Sequence, residues 1–443
     1  MTREPTDQPH GPTGQRAHAD ICVVGAGAAG LFAAIWAART ASGLTHGASP
    51  PLSVVALDGA ARIGAKILVA GGGRCNVTHH EVRDSDYSGS TPAAVRSVLR
   101  RFGVDRTVEF FRDRGVALKR EDTGKLFPTT DDAHTVLDAL LDALRSSGAS
   151  LRHPWRVTAI RRSGSGFVAS GPAGSVSCSR LILASGGKSL PKSGSDGAGL
   201  EIARELGHSV TSMVVPALVP LVIADGHWIR SLSGLTVDAE IILRSSATRK
   251  LRSIRGSTLC THFGVSGPSV LDMSRHWHHA RDADPGCSLE ICWVPGMSAD
   301  EVDAWLLGAK GTGVAALLRE RLPERLARAL CAAAEVPPDS TVQQMARERR
   351  RALATLIAGT PLPATGDRGW NAAEVTAGGI PLAEIDVRTM ESRIVPGLHC
   401  AGEICDVDGR IGGFNFQWAW ASGFVAGCAA AEALASAPAA SQH

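Results

Sequence analysis

From the sequence alone we predict an α/β protein in which one Rossmann-like domain is interrupted by an insert. A short apolar run, Ile21 to Val24, leads into a glycine-rich turn, and a second glycine-rich block lies near the other end of the chain, at Cys400 to Gly423. Between them, residues 209–370 change to short alternating strands and then to helical periodicity. We therefore expect one discontinuous domain that carries both glycine-rich segments and brackets the insert.

The N-terminal segment DICVVGAGAAGLFAA contains the motif GxGxxG at the end of a predicted buried strand. Gly25 permits a tight turn, Gly27 lets the backbone approach a pyrophosphate, and Gly30 allows the next helix, Leu31 to Arg39, to pack on the strand. The amides and dipole of that helix N-terminus favour an anion. This segment predicts a dinucleotide site, with an ordinary glycine-rich turn as the alternative for the motif taken alone.

A second apolar run, Leu52 to Leu57, ends at Asp58. An acid at the end of this strand is placed to accept hydrogen bonds from an adenosine ribose, at a usual gap of about 20 residues from the glycines. Here the gap is longer, and the extra residues, Ser42 to Pro51, are rich in Gly, Ser and Pro, which predicts a surface loop. Strand, turn, helix and acid together are more specific than the glycines alone.

Two further segments have the composition of ligand-facing loops. In GGGRCNVTH, small residues let backbone amides reach a ligand, while Arg74 and Asn76 offer hydrogen-bond donors. The alternative is a tight turn in which Asn76 caps a helix. The apolar run Leu181 to Ala184 stops abruptly at Ser185, which predicts another parallel strand that ends at a ligand or at an ordinary loop.

The composition limits the classes of function. Hydrophobic residues make up 44% and charged residues 20%, as in ordinary globular proteins, and the net charge of +3 gives no argument for a nucleic-acid partner. Ten cysteines lack CxxC or metal spacing, which favours a reduced, cytoplasmic protein. No stretch has the length of a membrane helix. The run HWHH, at residues 276–279, has no ligand spacing, so we expect no metal.

The predicted organisation has four parts. These are a disordered leader at 1–19, a discontinuous nucleotide-binding domain at 20–208 and 371–435, an insert at 209–370 that is β-rich over 209–297 and mainly helical over 298–360, and a frayed tail at 436–443.

An ordered set of motifs from Asp20 to Cys428 resembles the BaiN-like (HI-type) flavoproteins, bacterial NAD(P)/FAD-dependent oxidoreductases of which some are labelled aminoacetone oxidases. The motifs are GAGAAGL, GGGRCNVTH, GKLFPTTDDAHTVLDAL, LASGGKSLPKSGSDGAG, THFGVSGPSVLDMS and a long C-terminal block that includes CAGEICDVDGRIGGFNFQWAWASG. The resemblance implies a discontinuous FAD-binding domain and an insert with a β-barrel-like and a helical part. This group usually has Glu at the position of Asp58. The aspartate side chain is shorter and has a shorter reach to the same ribose hydroxyls.

The resemblance also implies which residues hold the cofactor. By position they are Gly25, Gly27, Ala28, Ala29 and Gly30 for the pyrophosphate; Asp58 for the ribose; Val157 for the adenine through its backbone; Lys66, Gly72, Gly73, Arg74, Cys75 and Asn76 beside the flavin and its phosphates; Ser185 and Gly186 lining the cofactor; Gly402 and Glu403 near the ribityl and phosphate region, with Asp406 and Asp408 on the same loop; and Gly412, Gly413, Asn415, Phe416 and Gln417, whose amides would meet the flavin pyrimidine edge. No catalytic residue is identified. Arg74 and Cys75 are candidates for a proton donor by position only.

The leading interpretation is an FAD-dependent oxidoreductase that accepts hydride from NAD(P)H at flavin N5 and reduces a small organic acceptor. NAD(P)H is expected as a transient co-substrate, because no second GxGxxG is visible. An oxygen-using flavin oxidase and a non-catalytic flavin-binding protein are the alternatives. An RNA-modifying flavoenzyme is disfavoured by the small net charge and by the absence of a basic stretch with interleaved aromatic residues.

Overall fold

A computed structural model of the chain describes residues 16–44, 52–309 and 311–436. The predicted leader up to residue 15, the predicted loop from residue 45 onward and the predicted tail from residue 437 lie outside the described residues. Within the described part, the chain forms two compact units. The first combines the segments that end at Val214 and restart at Gly378, and the second is Val215–Ala377.

The N-terminal part of the first unit alternates strands and helices. Its strands are β1 Arg16–Val24, β2 Val54–Leu57, β3 Thr78–His79, β4 Tyr87–Gly89, β5 Leu118–Arg120, β6 Lys125–Pro128, β7 Ser150–Arg152, β8 Ala159–Ser163, β9 Gly166–Gly171 and β10 Gly174–Leu183. Its helices are α1 Ala28–Leu44, α2 Ala65–Gly73, α3 Pro92–Leu99, α4 Val104–Arg112, α5 Ala133–Ser146 and α6 Ala198–Glu205.

The second unit is built from strands followed by helices. Its strands are β11 Val215–Ala217, β12 Leu221–Ile223, β13 Thr236–Arg244, β14 Lys250–Thr261, β15 Gly264–Ser266, β16 Ser288–Cys292, β17 Thr360–Leu362, β18 Ala364–Asp367 and β19 Val375–Ala377. Its helices are α7 Pro268–Ala283, α8 Ala299–Gly308, α9 Val314–Leu318, α10 Glu324–Ala333 and α11 Arg347–Gly359.

The chain then returns to the first unit. This last part adds β20 Ile385–Asp386, β21 Glu391–Ser392, β22 Leu398–Cys400, β23 Val407–Gly409 and the long helix α12 Phe414–Ala435. Single 3-10 turns precede β20 and follow β22, the second of them at Gly402–Ile404.

A mixed sheet forms the centre of the first unit: β22, β10, β1, β2 and β7 are parallel, while β8, β9, β20 and β21 are attached to them by antiparallel pairing. Its order is β20-β21-β22-β10-β1-β2-β7, and β1 is parallel to both β2 and β10. The run Ile21 to Val24 is buried along its whole length, as expected for a strand covered on both faces. The α/β fold class is confirmed, with a Rossmann-like core that uses both ends of the chain.

β1 begins earlier than predicted. Residues 16–19 were assigned from the sequence to a disordered leader. In the structure they pair in parallel with Ser175 to Cys178 of β10. The long strand β10 offers these residues a backbone partner, and the polar side chains beside it are satisfied at the surface, where His18 Nδ1 lies 3.1 Å from Ser177 Oγ. The prediction of disorder was based on polar composition. It was wrong because the sequence does not reveal that these residues pair with β10.

α1 is longer than predicted. The helix runs to Leu44 and therefore includes residues 42–44, which the glycine and serine content had assigned to a surface loop. Ser42 Oγ donates to the carbonyl of Ala38 at 3.0 Å, so the hydroxyl is satisfied inside the helix.

An antiparallel sheet dominates the second unit. Its order is β17-β16-β13-β14-β15-β12-β18, and the two edge strands are separated in sequence by Pro363 alone. Because one nearly continuous stretch of chain supplies both edges, the sheet must curl back on itself, as a barrel does. Helices α8–α11 pack on the same apolar core. The region predicted as β-rich also contains α7, whose first turn holds Pro268 and which carries the HWHH run.

The units divide a few residues after the predicted borders at 208/209 and 370/371. β11 pairs antiparallel with β19, from Val215 opposite Ala377 to Ala217 opposite Val375. This ladder keeps both flanking segments in the second unit, and it is formed by contacts that are distant in sequence.

α1 and α12 cross at backbone distance. A Cβ placed on Gly423 would lie 2.5 Å from the carbonyl oxygen of Ala29, and one on Gly427 would lie 2.3 Å from that of Ala33. The two glycines are four residues apart and face the same way, so they form a smooth stripe on α12. The close crossing joins the N-terminal glycine motif to the C-terminal block.

We predict that Gly423→Ala lowers the free energy of unfolding by about 1–3 kcal/mol, because its methyl group must displace the backbone of α1. The measurement is urea denaturation of the purified variant. Gly43→Ala is the matched control, since Gly43 is exposed near the end of α1 and a Cβ there meets nothing within 4 Å. Equal stability of the two variants would contradict the close crossing.

Candidate cofactor site

The first turn of the site lies where the central parallel strands end. Gly25 N donates to Leu57 O at 2.8 Å, and Ala184 N donates to Val24 O at 2.8 Å, so the turn after β1 is tied to both neighbouring strands. A Cβ on Gly25 would lie 2.4 Å from Ala184 O, and one on Gly30 would lie 1.8 Å from Gly25 O. These two glycines are therefore required by the protein's own packing.

Gly27 differs from its neighbours in the motif. A Cβ there would meet no atom within 4 Å, so its backbone borders open space. The first intrahelical bond of α1 runs from Leu31 N to Gly27 O, which leaves the amides of Ala28, Ala29 and Gly30 in the first turn without intrahelical acceptors. The open space and the donors together fit an anionic group.

Asp58 is held by two backbone amides. Its Oδ2 accepts from Ala26 N at 2.6 Å and its Oδ1 from Ala60 N at 2.7 Å, and each oxygen keeps a lone pair for a ligand hydroxyl. Trp155 N donates to Asp58 O at 2.6 Å, which brings the segment containing the buried Val157 to the same place. The residues predicted for the ribose and for the adenine therefore lie near each other.

The glycine-rich loop at the C-terminal end of α2 departs from helical geometry and forms a left-handed turn. Gly71, Gly72 and Gly73 have φ of +59°, +71° and +86°, values that glycine adopts without strain. A Cβ on Gly72 would meet nothing within 4 Å. The loop thus presents bare backbone to open space, as the sequence predicted.

Arg74 is engaged within the protein. Its Nη1 donates to Glu121 Oε1 at 2.6 Å, and its guanidinium lies 4.0 Å from the centre of the Phe127 ring. The hydrogen bond that Arg74 donates to Glu121 raises the pKa of Arg74. These contacts lock the loop to the β5–β6 hairpin, so Arg74 supports the turn, and its role as a ligand donor stays a prediction.

Cys75 and Asn76 are both buried after this turn. Burial raises the pKa of the Cys75 thiol to about 12, so the side chain is neutral at physiological pH. Asn76 Oδ1 has no hydrogen-bond partner among the described residues, and it would lie 2.9 Å from a Cβ on Gly413. An unpartnered buried amide oxygen is costly, which fits a ligand that donates a hydrogen bond to it.

The C-terminal block is clamped by α12. Gly402 N donates to Ser422 Oγ at 2.9 Å, and Gly402 O accepts from Trp418 Nε1 at 3.1 Å. A Cβ on Gly402 would lie 2.6 Å from the Cβ of Ala29. Gly402 therefore packs between α12 and the N-terminal end of α1. Asp406 continues this loop, with its N bonded to Ile380 O at 2.8 Å, and Asp408 is buried in β23.

α12 begins at Gly413 without a side-chain cap. The side chain of Asn415 is used internally, since its Oδ1 and Nδ2 each bond the backbone of Gly409 at 2.8 Å. Gly412 precedes the cap, and Phe416 stacks on Trp420 with ring centres 5.6 Å apart. The open groups at this end are therefore backbone amides, which carry the positive end of the helix dipole.

Gln417 serves the fold through its side chain. Its Oε1 accepts from Thr78 Oγ1 at 2.7 Å and from Thr107 Oγ1 at 2.9 Å, while Nε2 donates to Phe102 O at 2.9 Å. The residue is fully buried. This network ties α12 to β3 and α4, so a direct contact of the Gln417 side chain with a cofactor would require breaking it.

Lys66 and Glu403 form an ion pair that links segments 337 residues apart, with Nζ and Oε2 at 2.8 Å. Two serines that the sequence reasoning missed complete the contact: Lys66 Nζ also donates to Ser189 Oγ at 2.7 Å and to Ser195 Oγ at 3.1 Å. Both lie in the loop KSLPKSGSDG, whose hydroxyl content was visible but whose fold was not. Ser185, which ends β10, directs its hydroxyl toward Gly199 of α6 instead.

FAD fits this set of residues. Open space borders the backbone of Gly27 and Gly72. Helices α1 and α12 begin after glycines and have no side-chain caps, so a ligand can accept from their first amides, and Asn76 has a vacant acceptor. The α1 terminus suits phosphates, and the α12 terminus suits a ring system that gains negative charge. These features define a Rossmann-type dinucleotide-binding protein with a discontinuous site.

Residues 19–429 match the family described as "HI0933-like protein Rossmann domain", and the chain belongs to that family. The resemblance inferred from the motifs is confirmed.

Two similar proteins are named for enzymes that act on different substrates. The chain is 33% identical to a 3-dehydro-bile acid delta(4,6)-reductase from Clostridium scindens, over 93% of this chain and 99% of the relative. It is 31% identical to a ribosomal RNA dihydrouridine synthase from Escherichia coli, over 91% of this chain and 96% of the relative. Among solved structures, a 3-ketosteroid delta1-dehydrogenase from Sterolibacterium denitrificans aligns with a TM-score of 0.48 at 12% identity, over 94% and 100% of the two chains.

The second relative bears on the predicted partners. Absence of a nucleic-acid partner was inferred from the net charge of +3. A relative of almost the same length is named for an RNA substrate, so net charge does not exclude that class here.

The described ranges contain neither a membrane-spanning helix nor a cluster of metal ligands. None of the helices placed there combines the length and apolarity that a membrane span requires. The same residues contain no group of His, Cys, Asp and Glu arranged to hold a metal ion. In the HWHH run, burial with the charges of Arg252 and Arg275 lowers the pKa of His276 to about 3, and His278 Nε2 lies 3.2 Å from Asp367 Oδ2.

We predict that Gly27→Ala raises the dissociation constant for FAD at least about tenfold, because its methyl group enters the space beside the α1 amides. The apoprotein should keep its melting temperature. Gly30→Ala is the contrasting variant: its methyl group meets Gly25 O, so it should lose stability itself. Isothermal titration and thermal melts of both apoproteins separate a loss of FAD affinity from a loss of stability. Unchanged FAD affinity in Gly27→Ala would contradict binding of the phosphate at this turn.

Cys75 should behave as a packing residue. Its folded-state pKa of about 12 lies above that of an exposed thiol, so the stabilisation from the protonated form is present below pH 9 and is lost as pH rises toward 12. We predict no alkylation of Cys75 by iodoacetamide between pH 7 and 9 and near-normal flavin reduction in Cys75→Ala. Rapid labelling, measured by peptide mass spectrometry, would show that the thiol is accessible.

Proposed function

We propose that this protein is an FAD-dependent reductase that takes hydride from NADH or NADPH and delivers it to a carbon–carbon double bond conjugated with a carbonyl. The observation that carries the proposal is the pairing of two uncapped helix N-termini, those of α1 and α12, within one unit. A dinucleotide with a central pyrophosphate and a redox ring at one end can use both, the first at the pyrophosphate and the second at the ring.

The chain's own residues hold and polarise such a cofactor. The first-turn amides of α1 would bind the pyrophosphate, and Asp58 would accept from the ribose. The α12 amides favour negative charge on the ring, an effect worth about 0.3–1 kcal/mol for an exposed charge and more when water is excluded. Asn76 would accept a hydrogen bond from the ligand. When bound, FAD supplies a carrier that accepts and donates hydride.

The two relatives suggest the type of acceptor. A 3-dehydro delta(4,6) bile acid contains double bonds conjugated with the 3-oxo group. Uridine, the precursor of dihydrouridine, contains a C5–C6 double bond conjugated with the C4 carbonyl. Both reactions named are reductions of an electron-poor alkene, which is the step common to them.

NAD(P)H would reach the flavin without a binding domain of its own. The chain has one GxGxxG, at Gly25 to Gly30, and we assign it to the proposed FAD site. We therefore propose transient docking of the nicotinamide. A stable stoichiometric NAD(P) complex away from the flavin would contradict this.

Uridine in ribosomal RNA is the second candidate acceptor, favoured by the relative named for that reaction. The second unit contains exposed basic residues on and before β14, and within the described chain Arg249 and Arg252 have no ion-pair partner, whereas Arg255 pairs with Asp238 at 2.8 Å. Such unpaired cations suit phosphate contacts.

The test is anaerobic mixing of the purified holoprotein with NADH or NADPH while the flavin absorbance is followed. We predict bleaching with at least one of them, and recovery of the absorbance on adding a 3-oxo-4,6-diene steroid acid or unmodified ribosomal RNA, with the effective acceptor defining the substrate class. At an FAD concentration between the two dissociation constants, Gly27→Ala should show less bleaching than the wild type, because less FAD is bound, while Gly43→Ala should match the wild type. If neither NADH nor NADPH bleaches the flavin, the proposal is wrong. If oxygen reoxidises the flavin and yields stoichiometric peroxide without an added acceptor, the protein is better described as an oxidase.

A further inference from the structure

Lys66 uses all its hydrogen-bond donors inside the protein. An ammonium group has three N–H bonds, and the structure gives it three acceptors: Glu403 Oε2, Ser189 Oγ and Ser195 Oγ. A direct bond from Lys66 to a ligand would break one of these contacts. The predicted role of Lys66 beside the phosphates therefore needs another residue to make the contact.

Ser195 is the member of this cluster with a proton still to donate. Its Oγ accepts from Lys66 at 3.1 Å, and no described residue accepts its hydroxyl proton. Ser189 differs, because it donates to Glu403 Oε1 at 2.9 Å. Ser195 is only 6% exposed, so its proton is not freely satisfied by bulk water. A hydroxyl that accepts from an ammonium is polarised and becomes a stronger donor.

The position of Ser195 indicates what it would donate to. A Cβ on Gly186, just after β10, would lie 2.9 Å from Ser195 Oγ. The neighbouring Gly194 lies against Ala60, with a Cβ at Gly194 placed 3.8 Å from the Cβ of Ala60, and Ala60 N donates to Asp58. Ser195 thus lies between the ribose acid and the strand end that supports the Gly25 turn.

The loop that carries Ser195 is held independently of Lys66. Asp196 pairs with Arg156 at 2.7 Å, and Gly197 N donates to Gly187 O at 2.9 Å. Ser193, two residues before Ser195, gives its proton to Leu190 O at 2.7 Å and has no contact with Lys66. The loop therefore offers two serines of the same kind in different surroundings.

We propose that Ser195 donates a hydrogen bond to a pyrophosphate oxygen of the bound dinucleotide and that Lys66 is the positioning residue that orients it. Glu403 and Ser189 fix the ammonium, and Glu403 offsets its charge. The inference rests on the proposed FAD site. It adds Ser195 to the ligand residues that the resemblance implies and changes the role of Lys66 from contact to support.

The first test is titration of the apoproteins with FAD and with ADP. Ser195→Ala should raise both dissociation constants about tenfold, since hydrogen bonds to charged groups are among the stronger ones, and should leave the apoprotein melting temperature unchanged. Ser193→Ala should bind like the wild type. Wild-type affinity in Ser195→Ala, or equal weakening in both variants, would overturn the assignment. Failure of the wild type to bind FAD would instead overturn the proposed function.

The second test asks whether Lys66 acts through Ser195. Lys66→Met combined with Glu403→Gln removes the ammonium without leaving an unpaired buried carboxylate. In that background, adding Ser195→Ala should change the FAD and ADP dissociation constants by less than about twofold, because the orientation of the hydroxyl is already lost. A full tenfold effect there would show that Ser195 acts independently and would remove the positioning role.

Discussion

The contact on which the site depends is the crossing of α1 and α12. It brings together two helix N-termini that are separated by almost the whole chain, and it does so at a distance that only Gly423 and Gly427 permit against the α1 backbone. Packing at this distance leaves little freedom of rotation or sliding. The two electropositive ends are therefore held in one geometry before any ligand arrives, which lowers the ordering cost of binding.

Much of this site could be predicted from the sequence because its rules are local. The strand, turn and helix around Gly25 to Gly30 follow from an apolar run and glycine spacing, and Asp58 follows from the end of the next strand. The backbone role of Gly72 was predicted for the same reason. Such patterns are governed by residues next to each other in the chain, where the sequence is most informative.

The remainder depends on contacts distant in sequence. The contacts of Arg74 with Glu121 and Phe127 could not be read from the sequence. The side chains of Lys66, Asn415 and Gln417 form hydrogen bonds within the protein, and the role that we propose for Ser195 depends on Lys66, which lies far earlier in the chain. The start of β1 at Arg16 similarly depends on the length of β10. No spacing rule connects these partners.

The ladder between β11 and β19 has a consequence for how such a protein can diversify. Where the chain leaves the nucleotide-binding unit and where it comes back, the two strands are hydrogen-bonded neighbours, with Val215 opposite Ala377. The host unit therefore needs only to accommodate two adjacent chain ends, whatever is carried between them. Recombination at these points would exchange the whole insert and leave the strands and helices of the host unit intact.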